Sequence, residues 1–338
     1  MRKLLLLLLL LAAPALAQAP PILALPQSPG LKEADRANVA RFLRMNTPRA
    51  LAFGPDGAFG WNAARSMEEA ERAALESCQR RSNGAPCRIQ ARDLSIVAEG
   101  QAWSPGEPPS GARLSSWNHE TVPDHRFLWW GPERAAGVLV WAHGRGRGDS
   151  RGLQPQSWTR GFNNTGFDVW RFDRHPATDD AIRAAGWLRE DLAELRRRGY
   201  RRIVMAGQSR GGWNTLMVLD TPGLVDVAIA IAPAAHGETG SANHARQLDD
   251  LRALVAAAGG AGGARVAVAN FRDDPFDADP GGRATLFNAL GGRAGAWLFL
   301  DRPEDLPGHG AGASTAFNDR YGACLLRFAT AATPPPRC

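Results

Sequence analysis

From about residue 113 to residue 332 the chain alternates short apolar runs with amphipathic stretches, and this alternation limits the possible folds more than any other feature. Apolar runs lie at 138–142, 167–172, 202–206, 225–232, 265–271 and 294–300. Helical patterns separate them at about 179–198, 210–219, 245–258 and 284–290, and a last one closes the region at 314–330. In the first of these, Leu188, Leu192 and Leu195 share one face and Gly199 supplies the stop. Strands separated by helices cannot pair as hairpins. The pattern therefore predicts an α/β fold, with a mostly parallel central sheet and helices on both faces.

The N-terminal third reads differently. Met1-Arg-Lys is followed by Leu4 to Leu11 and then by Ala-Ala-Pro-Ala-Leu-Ala17, the layout of a secretory signal peptide over 1–17. Its apolar run is too short for a permanent span, so no membrane span is expected after cleavage. Residues 18–30, rich in Pro, Ala and Gln, read as a flexible lead-in. Residues 31–100 read as a small accessory α+β unit: a strand near 50–53, a helix from the capping pair Ser66 and Glu69 to about Cys78, and a strand at 88–97. Residues 101–112 read as a Pro/Gly/Ser linker, 113–332 as the main domain, and 333–338 as a C-terminal tail. Four cysteines fit an exported protein, and proximity in sequence favours pairing Cys78 with Cys87 and Cys324 with Cys338. An exported, periplasmic or secreted location follows.

Composition removes several classes. With 44% hydrophobic and 22% charged residues the chain is not a disordered one. The formal charge of +6 comes mostly from arginines spread along the chain, with no basic stripe interleaved with aromatics, so no nucleic-acid partner is expected. No C-x-x-C, H-E-x-x-H or G-x-x-x-x-G-K-[ST] spacing occurs, so no metal is expected. The run Gly259–Gly263 follows a helix and precedes a strand, the wrong order for a dinucleotide fingerprint.

The chemistry concentrates around Gly207-Gln-Ser-Arg-Gly211, which joins the run 202–206 directly to a helix. A serine there stands on a tight strand-to-helix turn, exposed at the positive end of the following helix, and is a candidate nucleophile. Ser209 needs a base, and His309, in the glycine-rich loop Leu306–Gly312 after the last strand, is the candidate. The orienting acid is expected in the loop after residue 271, where Asp273, Asp274 and Asp277 compete; Asp274 is chosen, by its spacing from the strand. Two amides could form an oxyanion hole: that of Arg210, and that of Arg145 in the His143-Gly-Arg-Gly-Arg-Gly loop after 138–142. His143 reads as structural. The side chains of Arg145, Arg147 and Arg210 either read an anionic acyl group or pair with acids such as Asp149. His236 and Trp213 are candidate pocket residues, while Trp141, Trp158 and Trp170 suit core packing.

At these residues the chain resembles the α/β-hydrolase fold superfamily, nearest in its loops to esterases and dienelactone-hydrolase-like members. The matching features are His143-Gly144, Gly207-Gln-Ser209-Arg-Gly211, the acidic loop and Gly308-His309-Gly310. The resemblance implies a serine hydrolase working through an acyl-enzyme with a Ser-Asp-His triad, no cofactor, and a small-molecule ester as substrate. A peptidase or amidase with the same triad, and an inactive binding protein on the same fold, are the alternatives. The segment from Gly60-Trp61 to Cys87 resembles a small β-α-β module of unassigned role found in exported bacterial proteins.

Overall fold

The computed structural model describes residues 19–146 and 148–338; the expected leader and Arg147 lie outside the described residues. The N-terminal unit contains helix α1 (Glu33–Phe42), strands β1 (Arg49–Phe53) and β2 (Phe59–Ala63), helix α2 (Met67–Arg81), and strands β3 (Arg88–Arg92) and β4 (Ser95–Ile96). Its sheet runs β2-β1-β3-β4 and is antiparallel throughout. This corrects the β-α-β expectation: Gly60 and Trp61 belong to a strand hairpinned onto β1, so the unit is α-β-β-α-β-β. Ser66 caps α2 by accepting the Glu69 amide at 3.2 Å. Ala70, Ala74 and Cys78 recur every four residues on the buried face of α2 and pack on Ala50 and Ala52 of β1. Cys78 is bonded to Cys87, which ties the end of α2 to the approach of β3.

The lead-in also needs correction. Pro21–Gln27 forms a 3-10 turn whose Ile22 and Leu25 are buried among Leu31, Val39, Phe42 and Leu51. Its prolines suggested a flexible segment and hid two apolar anchors, and burying them offsets the entropy of ordering the segment.

The main domain is built from strands β5 (Leu114–Ser115), β6 (His119–Pro123) and β7 (Gly137–Ala142), helix α3 (Thr159–Asn164), strand β8 (Phe167–Arg174), helix α4 (Ala181–Arg197), strand β9 (Ile203–Gln208), helix α5 (Arg210–Met217), strand β10 (Val227–Ile231), helix α6 (Gln247–Ala257), strand β11 (Arg265–Asn270), helix α7 (Pro280–Gly291) and strand β12 (Ala296–Asp301). Helices α8 (Thr315–Phe317) and α9 (Ala323–Thr330) follow, joined by a π-turn over Asn318–Gly322, so the last expected helix is interrupted. Strand order is β12-β11-β10-β9-β7-β8-β6-β5. Strands from β8 to β12 are parallel; β6 pairs antiparallel with β8, and β5 with β6. The short polar strands β5, at the edge, and β6, beside it, and helix α3, carried too little apolar pattern to be read from sequence.

Strand β7 shows why the central runs are apolar throughout. Val138 and Val140 join the core under α4–α7, with Leu188, Leu192, Leu216 and Phe287. Leu139 and Trp141 point the other way, into the core with Trp158, Phe162, Leu325 and Phe328. Cys324 is bonded to Cys338, which brings the tail back onto α9. The two units meet through amide side chains: Gln154 donates to the Thr47 hydroxyl (2.8 Å) and its oxygen accepts the Thr47 amide (3.0 Å), Asn164 donates to the Leu43 carbonyl (3.0 Å), and Asn318 donates to the Arg44 carbonyl (3.1 Å). The loops leaving the carboxyl ends of β7, β9, β10, β11 and β12 gather at one sheet edge, where open α/β sheets present their sites.

Candidate active site

Ser209 follows β9 and precedes α5, with φ 55° and ψ −120°. Non-glycine residues rarely adopt such angles, and the surroundings must hold them against roughly 1–3 kcal/mol of strain. Three hydrogen bonds do so. The Ser209 amide donates to Ile231 (2.9 Å), and the Ser209 carbonyl accepts from Trp213 (2.9 Å) and Ala234 (3.0 Å). The first of the last two bonds opens the helical ladder, leaving the amides of Arg210, Gly211 and Gly212 ahead of it.

The flanking glycines are required by close approach. A Cβ at Gly211 would fall on the Ala142 carbonyl at the end of β7 and within 2.8 Å of the His143 oxygen. A Cβ at Gly207 would lie 2.9 Å from the same Ala142 oxygen. Gly211→Ala is therefore expected to cost about 3 kcal/mol or more, since backbone must move. Urea denaturation checks this, as a lower midpoint at unchanged m.

The loop after β7 lies against the serine: a Cβ at Gly144 would sit 3.2 Å from Ser209 Cβ. Arg145 is exposed, and its amide has no hydrogen-bond partner among the described residues. His143 is buried and braces the loop. Its Nδ1 donates to the Gly144 carbonyl (2.6 Å), and its Nε2 accepts the Arg174 amide (3.2 Å). Burial and the neighbouring Arg174 cation push its pKa down to about 3. The folded ring is thus neutral, and its contribution to stability is complete above the ordinary value of 6.5 and is lost as pH falls toward 3. This one group should give an acid slope of about 1.4 kcal/mol per pH unit in that window. His143→Gln is expected to be less stable at pH 7.5 but to lack that share of the slope, read by urea unfolding from pH 7.5 to 4.

The acid and histidine meet. His309 Nδ1 lies 2.9 Å from both carboxylate oxygens of Asp274. Asp274 is buried, 4% exposed, and its Oδ1 also accepts the Phe276 amide at 2.9 Å. Asp273 is 72% exposed beside Arg272. Asp277 is buried and faces Arg283 at 3.9 Å, and burial raises its carboxyl above the usual range. Of the three competing aspartates, only Asp274 touches the histidine. The two loops are joined where the Gly308 amide, at φ +85°, donates to the Arg272 carbonyl (2.7 Å).

His309 Nε2 is buried and without a partner among the described residues. The Ser209 hydroxyl makes no hydrogen bond among them either; in ligand-free sites such bonds commonly form only with substrate. A neutral imidazole donating from Nδ1 to a carboxylate keeps an acceptor lone pair on Nε2, which suits it to take a proton.

Three supporting residues escaped sequence reasoning. Gln208 Nε2 donates to the His309 carbonyl at 2.9 Å, and Gln156 donates to the Gln208 side-chain oxygen. Gln156 is fixed in turn by Trp158 Nε1 at 2.8 Å. The ring of Phe276 packs on His309 with centroids 4.2 Å apart. Gln208 was visible as the variable position of the serine turn, but nothing local showed where its side chain goes.

A pocket of about 640 Å³ opens beside this arrangement, lined by Arg145, Arg210, Trp213 and His236 among others; neither Ser209 nor His309 lines it. Arg210 Nη2 donates to the Ala235 carbonyl (2.6 Å), and His236 Nε2 lies 2.6 Å from Asp250. Trp141, Trp158 and Trp170 are core residues, as their patterns suggest. Asp149 pairs with Arg151 at 2.6 Å, not with the arginines of the pocket.

A second serine–histidine–aspartate line occurs at the far edge. Ser116 Oγ is 2.9 Å from His119 Nδ1, and His119 Nε2 is 3.0 Å from Asp191. Here the serine accepts the Asn118 amide in a tight turn, and Thr121 donates to Asp191, so the line ties the β5–β6 hairpin to α4.

No family model matches the chain, and no curated protein matches it. Among solved structures it is similar to the esterase Pf2001 of Pyrococcus furiosus, at 11% identity over 63% of this chain and 86% of that one, with a TM-score of 0.44. It is similar to Est1E from Butyrivibrio proteoclasticus, at 13% identity over 63% and 96% of the two chains, with a TM-score of 0.44. A further match is the Pyrococcus horikoshii acylaminoacyl peptidase, at 14% identity over 72% of this chain and 45% of that one, with a TM-score of 0.48. Its own strand order, the strained serine turn after β9, and the acid and histidine loops at the same sheet edge give the main domain the α/β-hydrolase fold.

Proposed function

We propose that this chain is an exported serine hydrolase that cleaves an ester bond of a small substrate through an acyl-enzyme. In this reading Ser209 attacks the carbonyl carbon and His309 Nε2 takes the serine proton. Asp274 holds the imidazole by Nδ1, and the amides of Arg145 and Arg210 receive the oxyanion. The acyl-serine ester forms as the alcohol leaves with the proton from His309. Water, deprotonated by the same nitrogen, then releases the acid and restores the serine.

The observation that carries the reading is the positive φ of Ser209, a non-glycine residue held under strain by three backbone hydrogen bonds. A serine with only a packing role gives no reason to keep that conformation. The Asp274–His309 contact supports it, and the two disulfides support export into an oxidising compartment. Among the described residues no helix is long and apolar enough to cross a membrane.

Labelling with a fluorophosphonate probe tests the proposal. Wild-type protein should be labelled once, and Ser209→Ala should lose the label. Unlabelled wild type would remove the enzyme from consideration, and label surviving in Ser209→Ala would move the nucleophile elsewhere. Short-chain p-nitrophenyl esters should be turned over faster than aminoacyl-p-nitroanilides.

A further inference from the structure

The pocket beside Ser209 has more cationic donors than the structure uses. It is lined by Arg210, whose guanidinium has one hydrogen-bond partner among the described residues, the Ala235 carbonyl, through Nη2. Arg210 Nε is buried and unpartnered among the described residues. Arg145 lines the same pocket, with no carboxylate within ion-pair distance among those residues. Arg174, fully buried, is paired with Asp179 at 2.9 Å, so that pair adds no net charge to the pocket.

Four aspartates, Asp179, Asp180, Asp220 and Asp250, also line the pocket, and each already has a partner within the protein. Asp179 accepts Arg174 Nε at 2.9 Å. Asp180 caps α4, taking the Ile182 and Arg183 amides at 3.0 Å each. Asp220 is held by Arg189 at 2.6 Å, and Asp250 by His236 at 2.6 Å. Burial disfavours the charged form of Arg210, and Asp179 and Asp180 support it only at a distance. Nε has no exposed surface, so the donor left for an anion in the pocket is Nη1, which makes no hydrogen bond among the described residues.

We propose that this pocket binds a carboxylate on the substrate, held by Arg210 and Arg145, so that the preferred esters are monoesters of dicarboxylic acids or esters carrying a carboxylate on the alcohol side. The proposal rests on the serine-hydrolase reading for turnover, but its binding step does not. A carboxylate replaces the missing partner with charge-assisted hydrogen bonds, and an Arg fork can take both of its oxygens. A volume of about 640 Å³ holds a small diacid derivative with room for its ester group.

The test compares 4-nitrophenyl hemiglutarate with 4-nitrophenyl valerate, and 4-acetoxybenzoate with phenyl acetate. Wild type should favour one anionic ester over its neutral counterpart about tenfold or more in kcat/KM, and the favoured pair tells acyl-side from alcohol-side recognition. In Arg210→Gln that ratio should fall about tenfold, and Arg210→Lys should restore part of it. Free glutarate should saturate a change in tryptophan fluorescence, reported by Trp213, with affinity about tenfold weaker in Arg210→Gln. Thermal melting of each variant separates loss of the site from loss of folding. Equal rates for anionic and neutral esters, or a ratio untouched by Arg210→Gln in folded protein, would overturn the proposal. If no ester is cleaved and no fluorophosphonate label appears, the serine-hydrolase reading fails. Glutarate binding then judges the pocket alone, and its absence overturns this proposal too.

Discussion

Alanine at His309 is expected to lower kcat for a p-nitrophenyl ester about ten-thousand-fold or more, with KM changed little. Serine hydroxyl is a poor nucleophile at neutral pH and requires a base within reach. His309 is held in place from three sides: Asp274 on Nδ1, the Phe276 ring against its face, and Gln208 on its carbonyl. Its Nε2 is buried, and no protein group among the described residues occupies it. Removing the ring removes the proton acceptor and leaves the oxyanion donors and the pocket in place, so binding should survive while chemistry stops. Steady-state kinetics on the purified protein checks this. A loss below about tenfold would mean that another group takes the serine proton.

Asparagine at Asp274 is expected to cost about a thousand- to ten-thousand-fold in kcat, and its cause differs. Asparagine fits the same space, but its amide nitrogen can donate to His309 Nδ1. That forces the imidazole proton onto Nε2, the wrong atom for a base. The same change at Asp273, exposed beside Arg272, should alter kcat less than about threefold. At Asp277 the effect should fall on stability, because the change weakens a buried carboxylate facing Arg283. Parallel kinetics and melting curves on the three variants separate these outcomes. Equal catalytic losses at Asp273 and Asp274 would contradict the assignment.

Much of the layout of the main domain was readable because its determinants are local. A strand buried on both faces must be apolar at every position, and a helix on its surface must repeat near every third or fourth residue. The turn at Ser209 was readable for the same reason: two glycines flank a serine between such elements, and only a tight approach to neighbouring backbone requires them. The disulfide partners are near in sequence, and proximity alone pointed to them. By contrast, β5 and β6 were missed because two- and five-residue strands with mostly polar side chains carry little pattern. The N-terminal unit was read one hairpin short because Gly60 and Trp61 have no alternation of their own; their place is set by pairing with β1 and by close packing under α2.

What the sequence by itself determined is therefore the α/β class, the serine turn, and the loops from which an acid and a histidine would come. The tertiary structure alone decided which aspartate meets His309, that Gln156 and Gln208 brace the histidine loop, that Ile22 and Leu25 anchor the lead-in, and that Arg210 lines a pocket without a carboxylate in ion-pair distance among the described residues. The division has one physical cause. Backbone conformation and amphipathic period are written over a few neighbouring residues, whereas a side chain's partner is chosen by where distant segments of the chain pack together.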